Sequence, residues 1–193
     1  MDKTEGEALL EVVLAPEAPR TTPEARIQAL EDREAIRDLI IVYGYLCDAR
    51  RWDELLDLYT DDIERVLAGS LVEHVKGKAA LREKLLAPTL ERRSGDGGPP
   101  PPERLAALGL CHLMASDVIR LSDDGTAASA AVHYTMVATV DDDRGFRRGV
   151  HDGSYVFEFR KDSGDWKFCR QFIVSDNAHN PLFQNEPRSR DSS

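Results

Sequence analysis

Four runs of alternating apolar and polar residues, at 110–121, 126–140, 147–160 and 166–175, follow one another with only short turns between them. Alternation with a period of two marks a β-strand with one buried face. The first two runs are joined by Ser122-Asp123-Asp124-Gly125, the next by Asp141-Asp142-Asp143-Arg144-Gly145, and the last by Asp162-Ser163-Gly164-Asp165. Turns this short leave no room for a crossover, so the C-terminal half must be an antiparallel meander. Strands of this length curve, and a curved sheet needs something to fill its hollow side.

The segment before the meander supplies helices. Thr22-Pro23-Glu24 combines a hydroxyl cap, Pro at the first helical position and an acid in the first turn. The helix it opens is expected over residues 23–47, with an apolar stripe of Ile36, Leu39, Ile40, Tyr43, Leu46 and Cys47. A second helix is expected at 53–59 and a hairpin at 63–68 and 71–75, around Gly69-Ser70. A third helix, at 77–86, is stopped by Pro88. Helices first and a long sheet afterwards make an α+β domain over residues 23–180. Residues 1–22, with Pro16 and Pro19, read as a flexible arm with a short helical patch at 8–14. Residues 181–193 read as a flexible tail, and Asn180-Pro181-Leu182-Phe183 as a patch that docks on the barrel mouth. The insert at 91–103, with Ser94-Gly95-Asp96-Gly97-Gly98 and then Pro99 to Pro102, reads as a flexible loop, followed by a helical turn at 104–108.

Composition excludes some partners. Lys and Arg number 25 against 35 Asp and Glu, a net charge of −10 with no basic block, which argues against nucleic acid and anionic membranes. Cys47, Cys111 and Cys169 lie in apolar segments without CxxC spacing and read as reduced core thiols. No apolar run approaches a membrane span and the N-terminus is acidic, so a cytoplasmic location is expected.

Strand parity sorts the candidate chemistry. His112, Met114, Ser116 and Val118 are expected on one face of the first long strand, and Val132, Tyr134, Met136 and Ala138 on one face of the second. His151, Gly153, Tyr155, Phe157 and Phe159 share a face of the third, and Trp166, Phe168, Arg170, Phe172 and Val174 a face of the fourth. Asp48 closes the apolar stripe of the long helix. It is either a polar end residue turned to solvent or an acid facing the cavity. With His112 and His151 on inward faces, the second arrangement places ionisable groups in an apolar pocket, which suits proton transfer. An Asp can hold an imidazole in one tautomer so that the ring becomes a base. Tyr43, Tyr134, His151, Tyr155 and Arg170 are the candidate substrate contacts. No GxSxG, P-loop, GxGxxG or HExxH motif is present, and neither a metal nor a cofactor is expected.

The order Ile36-Arg37-Asp38-Leu39-Ile40, Cys47-Asp48, Trp52-Asp53-Glu54-Leu55, Leu58-Tyr59-Thr60-Asp61-Asp62, Gly77-Lys78-Ala79-Ala80-Leu81 and Gly164-Asp165-Trp166-Lys167-Phe168 resembles the SnoaL-like branch of the NTF2-like superfamily, over residues 26–176. The resemblance implies a cone-shaped barrel, with N-terminal helices packed on a strongly curved, mainly antiparallel sheet, and a homodimer formed through the sheet. The pattern is most similar to the branch that holds scytalone dehydratase and hexachlorocyclohexane dehydrochlorinase. There an Asp ends the first helix and a His opens the first long strand, the places of Asp48 and His112. It implies a cofactor-independent lyase of the dehydratase type, with an isomerase, a polyketide cyclase or a non-catalytic binding module as alternatives on the same fold. The insert at 91–103 is longer than the family's usual connection, which leaves open whether it serves as a lid over the mouth. Ser116-Asp117 departs from the Thr-Asn pair frequent in relatives.

Overall fold

In the computed structural model, which describes residues 3–68, 73–86, 108–142 and 145–175, all helices but the first cover the hollow side of one six-stranded sheet. The elements run α1 (Lys3–Leu14), α2 (Pro23–Asp48), α3 (Trp52–Asp57), β1 (Tyr59–Ala68), β2 (Glu73–Lys76), α4 (Lys78–Leu86), β3 (Leu108–Leu121), β4 (Ala127–Asp142), β5 (Gly145–Asp162) and β6 (Asp165–Ser175). The strand order is β2-β1-β6-β5-β4-β3, with every pair antiparallel except β1–β6. This is the expected α+β architecture, helices on a curved and mainly antiparallel sheet. The insert at 91–103, the turn at 104–107 and the tail patch at 180–183 lie outside the described residues.

Helix α2 begins where the sequence places it. The Thr22 hydroxyl accepts from the Ala25 N–H at 3.2 Å and Pro23 occupies the first helical position, a cap worth about 1 kcal/mol. Its buried stripe of Ile36, Ile40, Tyr43, Leu46 and Cys47 meets the concave face of the sheet. That face is built from Tyr59 and Ile63 of β1, Ile119 and Leu121 of β3, Ala130, Val132 and Tyr134 of β4, Tyr155, Phe157 and Phe159 of β5, and Phe168 and Ile173 of β6. Near its start α2 is pinned by Asp32, which accepts from the Trp166 indole at 2.9 Å and pairs with Lys161 at 2.8 Å. Burial pushes the Asp32 carboxyl up, but hydrogen bonds from Lys161 and Trp166 outweigh it and leave the group below its ordinary 3.8.

Two β-bulges change which side chains face inward. In β3 the register slips between Ala115 and Val118, with Ser116 at φ 57°, so Met114 packs on the concave side but Val118 on the convex side. In β6 an extra residue at Cys169 separates the pairs Phe159–Phe168 and Glu158–Arg170. Trp166 and Phe168 therefore face the helix, whereas Phe172 and Val174 join the outer cluster. The expected single face for residues 166–174 is corrected accordingly, because one inserted residue inverts every position after it.

Residues 1–22 hold the helical patch expected at 8–14, lengthened and packed on the sheet. They contain α1, whose Val13 is fully buried against Val66, Val156 and Phe172 on the convex face. Only Leu9 and Val13 of α1 take part in that cluster, and two positions four apart are too few to show as a period in sequence.

Candidate functional site

A carboxylate on the last residue of a helix faces the negative end of the helix dipole, an unfavourable place unless donors meet it. Asp48 stands there. Its oxygens accept the backbone N–H of His112 at 3.1 and 2.9 Å, and His112 Nδ1 lies 2.6 Å from Asp48 Oδ1. Asp48 is therefore bound to His112 and not left to solvent alone. The side chains are 8% exposed for His112 and 20% for Asp48, enough shielding to strengthen the contact without sealing it. A carboxylate only accepts, so the proton between them belongs to Nδ1, and in the neutral ring Nε2 then holds the lone pair.

Local structure fixes both partners. A Cβ on Gly44 would meet Met114 Cγ at 3.5 Å and His112 Cβ at 3.6 Å, so α2 and β3 come together within one helical turn of Asp48. The helix then stops in a Schellman turn. The Arg51 N–H bonds the Leu46 carbonyl at 3.0 Å and the Arg50 N–H that of Cys47 at 3.2 Å, with Arg50 at φ 55°. On the other side, Arg37 Nε donates to Asp117 at 3.1 Å and ties the β3 bulge back to α2.

The expected aromatic contacts line the same concave face. The Tyr134 hydroxyl lies 3.1 Å from His151 Nδ1, across Gly153, where a Cβ would sit 2.8 Å from Tyr134 Cε1 and 2.2 Å from the Val174 carbonyl oxygen. Only glycine leaves Tyr134 that path. Tyr134 packs on Tyr155 at 4.5 Å between centroids, and Tyr155 meets the edge of Tyr43 at 5.8 Å. Tyr43 accepts the Gln171 amide N–H at 3.0 Å, and Tyr59 donates to Gln171 Oε1 at 3.2 Å. Burial pushes the Tyr43 and Tyr155 hydroxyls well above 10 and the Cys47 thiol up to about 12, the last despite a hydrogen bond with Tyr43.

Arg170 is the exception. The β6 bulge turns it to the convex side, where it lies 3.5 Å from Glu64 and 4.0 Å from Glu158. It is corrected from a pocket residue to a member of an outer-face charge network. His133 meets Ser154 at 3.1 Å, and His74 meets Glu64 at 2.6 Å, both at exposed positions away from the pair.

Sequence reading missed three concave-face residues. Tyr59 was assigned to a helix but opens β1, and Gln171 was hidden by the bulge. Arg65 had a signal: it stands between Ile63 and Leu67 at an inward position of an alternating strand. Among the described residues, no three His, Cys, Asp or Glu gather closely enough to hold a metal ion. Two surface grooves, of about 740 Å³ beside Asp53, Asp57 and Lys78 and about 770 Å³ beside Pro16, Arg120 and Cys169, do not reach Asp48 or His112.

Comparison with known proteins agrees with this architecture. None of the curated proteins matches the chain. Among solved structures it is similar to an NTF2-like protein with a cystatin-like fold from Novosphingobium aromaticivorans (24% identity, 84% of this chain and 94% of that chain, TM-score 0.62). It is also similar to a candidate scytalone dehydratase from the same organism (19% identity, 86% and 99%, TM-score 0.63). A third is a type 2 hexachlorocyclohexane dehydrochlorinase (17% identity, 79% and 90%, TM-score 0.59). At these identities the likeness establishes the fold. The family profile described as a SnoaL-like domain matches residues 28–171, from within α2 to within β6, and the chain belongs to that SnoaL-like family of the NTF2-like superfamily.

Proposed function

We propose that the protein is a cofactor-independent lyase of the dehydratase type, acting on a cyclic small molecule such as a polyketide or steroid-like ring. The contact of Asp48 with His112 Nδ1 carries this reading, because in the neutral ring it leaves Nε2 as the base, on a strand whose neighbours Met114 and Met136 pack on the apolar core. In the proposed reaction His112 Nε2 takes a proton from the carbon next to a carbonyl, and Asp48 balances the imidazolium that forms. The C–H electron pair becomes the new C=C bond, and the C–O bond of a hydroxyl one carbon further on breaks. That oxygen leaves as water with a proton from Tyr134 or His151, which are hydrogen-bonded to each other. Tyr43, Tyr134 and Tyr155, buried and packed on one another, form the aromatic wall against which a flat substrate would stack once these rings give way.

An isomerase or a polyketide cyclase would use the same base and differ in where the second proton or bond lands. Incubation in D₂O with a panel of cyclic β-hydroxy ketones, cyclic β,γ-unsaturated ketones and open-chain polyketones separates these outcomes. A dehydratase yields an enone, an isomerase a shifted double bond carrying deuterium, and a cyclase a new ring bond. Ring compounds that bind with neither turnover nor deuterium uptake would leave a binding module and overturn the enzyme reading.

Pairing into a homodimer through the sheet belongs to the same proposal. Leu113 and Val150 are exposed on the convex face, away from the part α1 covers, and sedimentation at micromolar concentration tests it.

A further inference from the structure

Arg65 poses a charge problem that the proposed proton transfer does not use. It sits on β1 at the inward parity of Ile63 and Leu67, paired in register with Gln171 of β6. Its surroundings are the hydroxyls of Tyr43, Tyr59 and Tyr155 and the thiol of Cys47. Burial keeps all of these protonated at neutral pH, since each is pushed above its ordinary value. None therefore supplies a counter-charge. Gln171 carries no charge, and its oxygen accepts from Tyr59 while no hydrogen bond joins it to the Arg65 Nε. The Arg65 Nε is fully buried without a hydrogen-bond partner, and among the described residues no carboxylate lies within ion-pair reach of the guanidinium.

Arg65 is half-buried as a whole, but a cation whose Nε is desolvated among polar, neutral neighbours is held at a cost that an anion would relieve. A planar guanidinium is also suited to grip two oxygens, or one oxygen twice. We propose that Arg65, ringed by Tyr43, Tyr59 and Tyr155 on the concave face, binds an oxyanion of the ligand, a carboxylate or phenolate oxygen on a ring compound. The site is then selective for acidic substrates. This rests on the reading of the concave face as the substrate site, but not on His112 being a base. Arg65 acts here as a specificity residue: it anchors one end of a ring whose other end reaches toward Asp48 and His112, one helical turn beyond Tyr43.

Calorimetric titration of the full chain at neutral pH tests this with three probes: 2-naphthoate, 2,4-dinitrophenolate and the neutral 2-naphthamide. At least one anion should bind about tenfold or more tightly than the amide. The naphthoate and dinitrophenolate arms separate a carboxylate from a phenolate. Arg65→Gln should remove that preference and Arg65→Lys retain part of it, with far-UV circular dichroism reporting the fold of each. Equal affinity for anions and amide in the wild-type chain, or a preference surviving in a folded Arg65→Gln, overturns the proposal. Should Arg65→Gln not fold, the wild-type comparison and Arg65→Lys still decide. His112→Ala should keep the anion preference. Turnover dependent on His112 without anion preference would reject this inference alone, and anion preference without turnover would reject the lyase reading alone.

Discussion

Asp48 holds His112 at two points, the ring Nδ1 at 2.6 Å and the backbone N–H at 2.9 Å. One carboxylate thus fixes the ring's tautomer and the position of the strand that carries it.

Replacing Asp48 with Asn sets the two points against each other. If the amide oxygen accepts from the ring, its NH₂ confronts the backbone N–H. If the oxygen accepts from the backbone, the NH₂ donates to Nδ1 and drives the proton to Nε2, where the base should be. Asp48→Asn should lower kcat by roughly a hundredfold or more with KM little changed. ¹⁵N NMR of the His112 ring should show the proton moved from Nδ1 to Nε2. An unaltered tautomer together with unaltered kcat would contradict this role.

Gly153 should tolerate no side chain. Its Cβ would sit 2.2 Å from the Val174 carbonyl oxygen, which belongs to backbone and cannot rotate away. Gly153→Ala should cost roughly 1–3 kcal/mol in denaturant unfolding and loosen the Tyr134–His151 contact. By contrast, a Cβ at Gly44 meets its neighbours at ordinary van der Waals distances, and Gly44→Ala should be close to neutral or stabilising.

Asp32 makes stability depend on acid. Its folded pKa lies below 3.8, through hydrogen bonds from Lys161 and Trp166 that overcome burial, so its contribution is complete above that value and fades as pH falls through the folded pKa. Asp32→Asn should lose roughly 2–3 kcal/mol at neutral pH, leaving Lys161 without its carboxylate. The difference between the two proteins should shrink below about pH 4. A constant gap from neutral to acid pH would show that the carboxylate's charge is not what matters.

Much of this arrangement was legible in sequence. The cap at Thr22, the stripe from Ile36 to Cys47 and the Asp-rich turns between strands are local signals, and each produced the element it announced. Asp48 and His112 were found because one ends a periodic helix and the other lies before any bulge, where parity still holds. Arg170 and Gln171 exchanged roles because the extra residue at Cys169 leaves no trace in the pattern of apolar residues. Arg65 was visible as a charge at an inward position. Its significance came from tertiary structure, which surrounds it with neutral hydroxyls from α2, β1 and β5.

The most direct measurement is the turnover of His112→Ala on whichever cyclic β-hydroxy ketone the wild-type protein is found to dehydrate fastest, with α-proton exchange into D₂O followed in the same sample. Both rates should fall by roughly 10²- to 10⁴-fold while thermal unfolding stays cooperative. Turnover and exchange persisting at wild-type rates in a folded His112→Ala would contradict the assignment of His112 as the base.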